Sequence, residues 1–315
     1  MILCAGLGTR LRPLTARLPK PACPVLDRPL VWYQLALLAG AGVQEVVVNT
    51  HQLPDAMAAA ARAGGRHLGL SVEISHEPTV LGTGGGLKRM EAWLGGGTCL
   101  VLNGDILFDV DLPRALEAHR RSGAVATMVV RAMPKGADYR PVDADAFGRV
   151  LRIAGDGPAP AGSKPWLFTG VHLLEPEIFA GLPPVSRGAS GLHEQGYRPL
   201  LERGRPVLVH EDAGAWSDLG TPARYLAANL DAASGAFPLR RFLRLGVHAV
   251  PPGASYLGPE ARVDGELRAS VVGAGAFIPA GAHVERSVVW AGTELRPGER
   301  LKGAIAADEL RVVAA

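Results

Sequence analysis

The chain opens with MILCAGLGTRLRPLT (residues 1–15), and Lys20 follows five positions later. Its first apolar residues lead directly into a turn that contains Gly6 and Gly8. This order predicts a short strand that delivers a small-residue, cationic turn to the edge of a sheet. Because glycine has no Cβ, backbone N–H groups in such a turn approach an anion closely. Arg10 and Lys20 supply charge that neutralises phosphate, so the turn suits a triphosphate.

From residue 1 to about 130, short apolar runs alternate with amphipathic stretches at helical spacing. Strands and helices in alternation predict an α/β fold: a Rossmann-like mixed, mostly parallel sheet with helices on both faces. In such sheets ligands bind beyond the carboxyl ends of the strands. The predicted strands are Met1–Cys4, Val43–Thr50, Leu70–His76, Thr98–Asn103 and Val125–Arg131, and the predicted helices are Pro29–Ala41, Pro54–Ala63, Gly84–Leu94 and Leu112–Ser122.

The length of 315 residues favours two domains, which we place at residues 1–235 and 245–315. Regularity weakens after residue 131, where Pro/Gly-rich loops are predicted at residues 155–164 and 182–190. Three further elements complete the first domain: strands at Trp166–Leu174 and Arg205–His210 and a helix at Pro222–Ala232.

Beyond about residue 248 the apolar residues recur every six positions. A hexad period is typical of a parallel β-helix, here resembling the left-handed form with 18 residues per coil and roughly three coils. A Gly/Pro-rich β meander remains the alternative. A β-helix of this length favours a regulatory or assembly role. An assembly role would make the protein a homo-oligomer that associates through this domain. The apolar residues that recur every six positions form two series: Val272, Ile278, Val284 and Trp290, and Val289, Leu295 and Leu301.

Composition excludes several classes of protein. A net charge of +3 gives no strong basic field, so neither a nucleic-acid polymer nor an anionic membrane is an expected partner. No apolar run approaches the ~18 residues of a membrane span. The three cysteines (Cys4, Cys23 and Cys99) lack any zinc-ligand or disulfide spacing. Reduced cysteines and the absence of a leader predict a cytoplasmic protein.

The glycine-rich turn fits neither of two common phosphate motifs. A dinucleotide-binding G-x-G-x-x-G would need glycine where Leu11 stands, and no Gly-Lys-Ser/Thr occurs. The whole segment AGLGTRLRPLT…PKP instead closely resembles the signature of the sugar-phosphate nucleotidylyltransferases, among them the mannose-1-phosphate guanylyltransferase-like proteins. The resemblance implies that Arg10 binds the β/γ end of a nucleoside triphosphate and that Lys20 contacts phosphates near the reacting centre. The implied nucleotide-binding residues are Leu3, Ala5, Gly6, Gly8, Thr9, Arg10, Glu77, Gly82 and Thr83.

The segment Glu77-Pro-Thr-Val-Leu-Gly-Thr, after the third strand, is placed around the nucleobase by the resemblance. A carboxylate suits guanine, whose N1–H and N2–H₂ are adjacent donors, whereas uracil and thymine offer one N3–H flanked by carbonyls. Glu77 therefore favours GTP. Backbone groups also read the base, so UTP and dTTP stay open.

Two aspartates carry the implied metal site. Asp105 follows the apolar strand that ends at Asn103-Gly104, and Asp218 lies in the distant segment Trp216-Ser-Asp. The resemblance implies that they hold Mg²⁺ between the α-phosphate and the sugar phosphate, which makes Arg10, Lys20 and Asp105 the catalytic set. Mg²⁺ typically takes one or two carboxylates together with phosphates and waters. Asp109 and Asp111 are read as a loop residue and a helix N-cap.

The sugar end departs from the family pattern. Many members carry Glu-Lys-Pro shortly before the strand that corresponds to Phe168–Val171, whereas this chain has Ala-Gly-Asp-Gly at residues 154–157. Lys164 and Arg152 are candidates for the missing charge. The implied sugar-phosphate residues are Asn103, Gly104, Thr169, Gly170 and Lys164.

The implied reaction joins a nucleoside triphosphate and a sugar 1-phosphate into a nucleotide sugar and pyrophosphate. GTP with mannose 1-phosphate is the favoured pair. The nearest alternative is a uridylyl- or thymidylyltransferase that acts on glucose, N-acetylglucosamine or N-acetylmuramate 1-phosphate. From other classes, a non-catalytic regulatory subunit that binds nucleotide sugars and an acyltransferase built on the hexads remain alternatives.

Overall fold

The structure, a computed structural model, describes residues 1–136, 138–155 and 158–314. Residues up to Ser234 form a layered α/β arrangement. Its strands are β1 (Ile2–Leu3), β2 (Pro24–Val25), β3 (Arg28–Pro29), β4 (Glu45–Thr50), β5 (Ser71–His76), β6 (Cys99–Asn103), β7 (Ile106–Phe108), β8 (Ala126–Ala132), β9 (Val142–Ala144), β10 (Val150–Ile153), β11 (Lys164–Leu174), β12 (Val207–Glu211) and β13 (Trp216–Asp218). Its helices are α1 (Leu30–Gly40), α2 (Pro54–Leu68), α3 (Gly82–Arg89), α4 (Glu91–Leu94), α5 (Leu112–Ser122), α6 (Ile178–Gly181), α7 (Arg198–Glu202) and α8 (Pro222–Ser234).

The central sheet runs in the order β10-β9-β11-β6-β1-β4-β5, and β8 and β12 extend it beside β11. Strands β6, β1, β4 and β5 are parallel, as predicted, while β11 is antiparallel to both β6 and β8. Parallel strands covered on both faces need nearly continuous apolar runs, and β4 is buried from Val46 to Thr50. The predicted strands and helices are confirmed. The short strands β2, β3, β7, β9, β10 and β13 were not predicted, because two to four residues carry no clear period.

Helix α8 illustrates how local sequence sets an element boundary next to the cavity. Thr221 is the N-cap, since its side chain accepts a hydrogen bond from the backbone N–H of Arg224, and Pro222 occupies the first turn. Gly235 ends the helix in the left-handed region, with φ of +81°. Asp218, at the end of β13, and Arg224, in the first turn of α8, are thereby held close together.

Residues 256–307 form a parallel β-coil with three sheets, and the last strand, Leu310–Val313, then pairs antiparallel with Ala304–Ala307. Val271 pairs with Tyr256 on one side and with Val288 on the other, so successive coils take 15 and 17 residues instead of 18. The parallel pairing excludes the β meander, while the left hand of the coil stays a prediction. The strands are β14 (Tyr256–Leu257), β15 (Arg262–Val263), β16 (Glu266–Arg268), β17 (Val271–Val272), β18 (Phe277–Ile278), β19 (His283–Glu285), β20 (Val288–Val289), β21 (Arg300–Lys302), β22 (Ala304–Ala307) and β23 (Leu310–Val313).

The shorter coils correct one predicted register. Val272, Ile278, Val284 and Val289 point into the core of the coil, whereas Trp290 packs into the core that includes α1 and α8. Three hexads need 18 residues, and a coil of 17 residues is one short. The inward-pointing position therefore shifts by one residue, from Trp290 to Val289.

The two parts of the chain share one hydrophobic core. Trp290 and Ile305 of the β-coil are buried in the same apolar cluster as Tyr225 of α8. The Trp290 Nε1–H donates to the Tyr225 hydroxyl at 3.0 Å, and the Ala274 backbone N–H donates to Asp27 Oδ1 at 3.0 Å. The β-coil therefore packs directly on the elements that follow the glycine-rich turn.

Cys4, Cys23 and Cys99 are buried free thiols, and burial raises the pKa of Cys23 to about 12. Across the described parts of the chain, no helix is both long and apolar enough to cross a membrane. The predicted loop at residues 155–164 includes residues 156 and 157, which lie outside the described residues.

Candidate active site

A cavity of about 490 Å³ opens where β1, β4 and β6 end. This is the edge at which α/β sheets bind ligands. Its walls include the glycine-rich turn, the start of α3 and the residues that follow β6. The lining residues are Leu3, Cys4, Ala5, Gly6, Leu7, Gly8, Thr9, Arg10, Lys20, Pro21, Asn49, Glu77, Val80, Gly82, Thr83, Asn103, Asp105 and Gly220.

The conformation of the glycine-rich turn depends on Gly8. Gly8 adopts φ of +59°, and the Thr15 hydroxyl donates to its carbonyl at 2.9 Å. A Cβ at Gly8 would lie 3.0 Å from Thr15 Cγ2, whereas a Cβ at Gly6 would meet nothing within 4 Å. Gly8 is therefore needed for the bend itself. Gly6 leaves backbone open for a ligand.

Lys20 lies between the two predicted metal ligands. Its ammonium is 2.9 Å from Asp105 Oδ2 and 3.5 Å from Asp218 Oδ1. The Lys20 side chain is 7% exposed and Asp218 is 13% exposed, while Asp105 is 44% exposed. A buried cation shared by two carboxylates brings together residues that are 85 and 198 positions apart from Lys20.

Arg10 completes this charged group. A Cβ at Gly220 would come within 2.8 Å of Asp218 Oδ1 and 3.2 Å of Arg10 Nη2. Gly220 thus leaves the space in which the guanidinium and the carboxylate face each other. The glycine-rich turn and the aspartate pair accordingly meet around Lys20 and Arg10, which both line the cavity.

The donor set of this group fits Mg²⁺. Among the described residues no three His, Cys, Asp or Glu side chains converge on one point, which is unlike a closed zinc site. Asp105 lines the cavity and Asp218 lies beside it on Lys20, and two such carboxylates match Mg²⁺, since this ion fills its remaining positions with phosphates and water. Asp105 and Asp218 are the residues that would hold it.

Glu77 has different partners from the guanine edge that the sequence predicts. It lies at the cavity wall but is fully buried. The Asn49 side-chain amide donates to Oε1 at 2.8 Å, and the Leu81 backbone N–H donates to Oε2 at 3.0 Å. Asn49 in turn accepts from the Cys4 backbone N–H at 2.6 Å. The carboxylate thus ties β1 and β4 to the segment before α3.

Gly104 and Thr169 are also engaged within the protein. A Cβ at Gly104 would lie 2.5 Å from Cys4 Sγ, so this glycine allows close packing on β1 and does not widen the sugar side. The Thr169 hydroxyl donates to the Val129 carbonyl at 2.7 Å. Gly170, with φ of +88°, lies against Asn103. Only Asn103 of these four lines the cavity.

Lys164 stands apart from the cavity lining. It begins β11, and its ammonium lies 3.7 Å from the centre of the Trp166 ring. Asp109 and Asp111 are structural, as predicted. Asp111 caps α5, and Arg241 contacts both carboxylates.

Sequence reasoning missed three polar residues. Asn49 is the penultimate residue of β4 and lines the cavity, a position that the strand prediction could have indicated. Arg224 donates from Nη1 to Asp218 Oδ2 at 2.6 Å, and its guanidinium lies 5.4 Å from the Tyr139 ring. Burial, reinforced by the Asp218 carboxylate, raises the pKa of the Tyr139 hydroxyl. No motif marks Arg224 or Tyr139.

Residues 1–235 match the family model described as nucleotidyl transferase. The chain belongs to this family. The matched residues include the cavity lining, the glycine-rich turn and both aspartates.

Two curated relatives cover nearly all of this nucleotidyl transferase. A mannose-1-phosphate guanylyltransferase of Mycobacterium tuberculosis is 30% identical over 314 residues, covering 100% of this chain and 81% of the relative. A UTP–glucose-1-phosphate uridylyltransferase of Synechocystis sp. is 28% identical over 332 residues, covering 96% of this chain and 85% of the relative. The resemblance to the sugar-phosphate nucleotidylyltransferases is therefore confirmed, and relatives with different bases and sugars are similarly distant.

Solved structures support the fold. A putative glucose-1-phosphate thymidylyltransferase from Bacillus anthracis superposes with a TM-score of 0.63 at 22% identity, covering 72% of this chain and 92% of that one. HddC from Yersinia pseudotuberculosis gives a TM-score of 0.61 at 21% identity, covering 72% and 96%. At this identity the likeness establishes the α/β fold.

Proposed function

We propose that this nucleotidyl transferase transfers a guanylyl group from GTP to mannose 1-phosphate in a Mg²⁺-dependent reaction. The observation that carries the transfer chemistry is the Lys20 ammonium, held between Asp105 and Asp218 beside the glycine-rich turn. The ammonium neutralises phosphate charge, and the two carboxylates would hold a metal ion that does the same. Both effects help two polyanions to approach each other.

In the proposed reaction an oxygen of the sugar 1-phosphate attacks the α-phosphorus, and the bond from that phosphorus to the bridging oxygen of pyrophosphate breaks. A phosphomonoester loses its second proton near pH ~6, so no general base is required at neutral pH. Catalysis then consists of positioning and charge neutralisation. Arg10 stabilises the departing pyrophosphate, and Lys20 contacts the α-phosphate. If bound by Asp105 and Asp218, Mg²⁺ would supply further positive charge for the neutralisation of the phosphates.

The choice of GTP and mannose 1-phosphate rests on the relative from M. tuberculosis, which matches the full length of the chain. The partners of Glu77 weaken the separate argument for guanine, since both of its oxygens already accept hydrogen bonds. A uridylyl- or thymidylyltransferase for glucose, N-acetylglucosamine or N-acetylmuramate 1-phosphate is the second candidate. It is favoured by the Synechocystis relative, which is named for UTP and glucose 1-phosphate.

The test is a matrix of pyrophosphate release with GTP, UTP, dTTP and ATP against common sugar 1-phosphates in the presence of Mg²⁺. GTP with mannose 1-phosphate should give the highest kcat/KM. A different best pair would replace the proposed substrates. Binding of nucleotide sugars without turnover in any cell of the matrix would favour a regulatory subunit.

The metal assignment has its own test. Asp105→Asn should abolish Mg²⁺-dependent pyrophosphate release while the circular dichroism spectrum stays that of the wild type, because Asp105 is partly exposed and contributes little to the core. Near-normal turnover of this variant would refute the assignment. Asp111→Asn, at a helix N-cap away from the cavity lining, is the matched control.

A further inference from the structure

The sugar end of the site lacks the lysine that the family pattern implies, and the two sequence candidates for its replacement have other partners. The Lys164 ammonium lies over the Trp166 ring. Arg152 Nε donates to the buried Asp143 carboxylate at 2.7 Å. A third cation, Arg224, directly contacts one of the two aspartates, Asp218.

Arg224 lies between Asp218 and an aromatic pair, Tyr139 and Trp216, that leads to strand β11. On one side it donates to Asp218. On the other, its guanidinium lies over the Tyr139 ring, which packs edge-on against Trp216 with ring centres 5.7 Å apart. Trp216 Nε1–H donates to the Thr169 carbonyl at 2.9 Å. A sugar 1-phosphate that reached both Asp218 and Thr169 of β11 would pass this position.

The Arg224 side chain is accessible and oriented. It is 46% exposed, and among the described residues only its Nη1 has a hydrogen-bond acceptor. An arginine presents five N–H donors in a planar fork and stays charged at all physiological pH values. The bond to Asp218 and the contact with Tyr139 fix the plane of this fork. The remaining donors then require little ordering to bind an oxyanion.

We propose that Arg224 binds the phosphate of the sugar 1-phosphate and supplies the charge of the missing lysine. This inference rests on the proposed function and names a residue for its acceptor substrate. Charge-assisted hydrogen bonds from a guanidinium to a phosphate dianion are among the stronger polar contacts in proteins. Because the nucleoside triphosphate is held by the glycine-rich turn and Arg10, the contribution of Arg224 is specific to the acceptor.

A positioning role is the competing explanation, in which Arg224 acts only by orienting Asp218. The two roles affect different constants. Loss of a phosphate contact raises the KM of the sugar 1-phosphate alone. Loss of Asp218 orientation raises the Mg²⁺ concentration needed for half-maximal rate and lowers kcat, whichever substrate is varied.

The experiment compares Arg224→Gln and Arg224→Lys with the wild-type chain, using the best substrate pair from the matrix. Arg205→Gln is the matched control, because Arg205 is almost equally exposed (47%) and its carboxylate partner is Glu177 and not Asp218. We expect Arg224→Gln to raise the KM of the sugar 1-phosphate by about tenfold or more. The KM of the triphosphate, the KM of pyrophosphate in the reverse reaction and the Mg²⁺ half-saturation should stay within about twofold, and Arg224→Lys should recover part of the loss.

A sugar 1-phosphate KM within about twofold of wild type overturns the inference. So does a rise that is matched by the Mg²⁺ half-saturation, since that pattern belongs to the positioning role. A wild-type chain that is inactive across the whole matrix contradicts the proposed function itself, whereas an active chain with an unshifted Arg224→Gln variant contradicts only this inference.

Discussion

Replacing Lys20 by methionine is expected to strengthen Mg²⁺ binding to the substrate-free protein while it weakens catalysis. Methionine keeps an unbranched side chain of similar length but removes the charge. In the structure the ammonium lies where it neutralises both Asp105 and Asp218. Mg²⁺ has to displace this cation or bind beside it, so the wild-type protein pays an electrostatic penalty that the variant lacks.

The distances give the size of the effect. Two unit charges 2.9 Å apart, the separation of Lys20 Nζ and Asp105 Oδ2, interact by about 1.4 kcal/mol in bulk water and about 6 kcal/mol at an effective dielectric constant of ~20. Because Asp105 is 44% exposed, solvent screening brings the net value towards the lower end. A gain of about 1–2 kcal/mol in Mg²⁺ binding corresponds to roughly 5- to 30-fold tighter affinity.

Isothermal titration calorimetry of the substrate-free protein with Mg²⁺ measures this affinity, and thermal unfolding of the same samples reports that the variant is folded. Lys302→Met is the control, since Lys302 pairs with Glu285 at 3.1 Å on the exposed surface of the β-coil. Pyrophosphate release should fall in Lys20→Met because the contact with the α-phosphate is lost. Unchanged or weaker Mg²⁺ binding in a folded Lys20→Met variant would refute the reasoning.

Gly8→Ala places a Cβ 3.0 Å from Thr15 Cγ2 at φ of +59°. We expect the KM of the triphosphate to rise roughly tenfold while the KM of the sugar 1-phosphate stays unchanged. Equal rises in both KM values would contradict a local effect. Trp290→Phe removes the hydrogen bond to Tyr225 and should lower Tm by about 1–2 °C, measured by calorimetry. Burial lowers the pKa of His172 to about 3. The folded state therefore keeps this histidine neutral while the unfolded chain takes up a proton below about pH 6.5, so stability falls as the pH drops from about 6.5 to 3, by up to about 1.4 kcal/mol per unit. Urea unfolding across this range should show a shallower loss in His172→Gln, and equal slopes would argue against the assignment.

Prediction from the sequence succeeded where the signal is local. The strand-and-helix alternation of residues 1–130 is a matter of apolar period, and the elements lie where the period places them. The hexads predicted a parallel coil but misplaced Trp290, because the length of a coil depends on its corners and not on the repeat alone. Ala269, Arg286 and Gly303 turn successive corners with positive φ, at 17-residue steps. The sequence pattern does not reveal such corners at alanine and arginine.

How much of the candidate site the sequence could predict also depends on whether the signal is local. Residue type and spacing predicted the glycine-rich turn, Arg10 and Lys20, and the family resemblance added the two aspartates. Side-chain pairing could not be predicted. Glu77 binds Asn49 and the Leu81 backbone, which only folding brings within reach.

What the sequence alone determined is the α/β fold, the glycine-rich turn and the family, since these depend on short-range patterns of glycine, charge and apolar residues. The tertiary structure decided which charges meet. Asp218 lies 198 residues from Lys20, and its second oxygen pairs with Arg224. These contacts depend on the packing of β13 and α8 against the opening segment. Coulomb interactions act through space, so the partners of a charge are set by the fold and not by its neighbours in the chain.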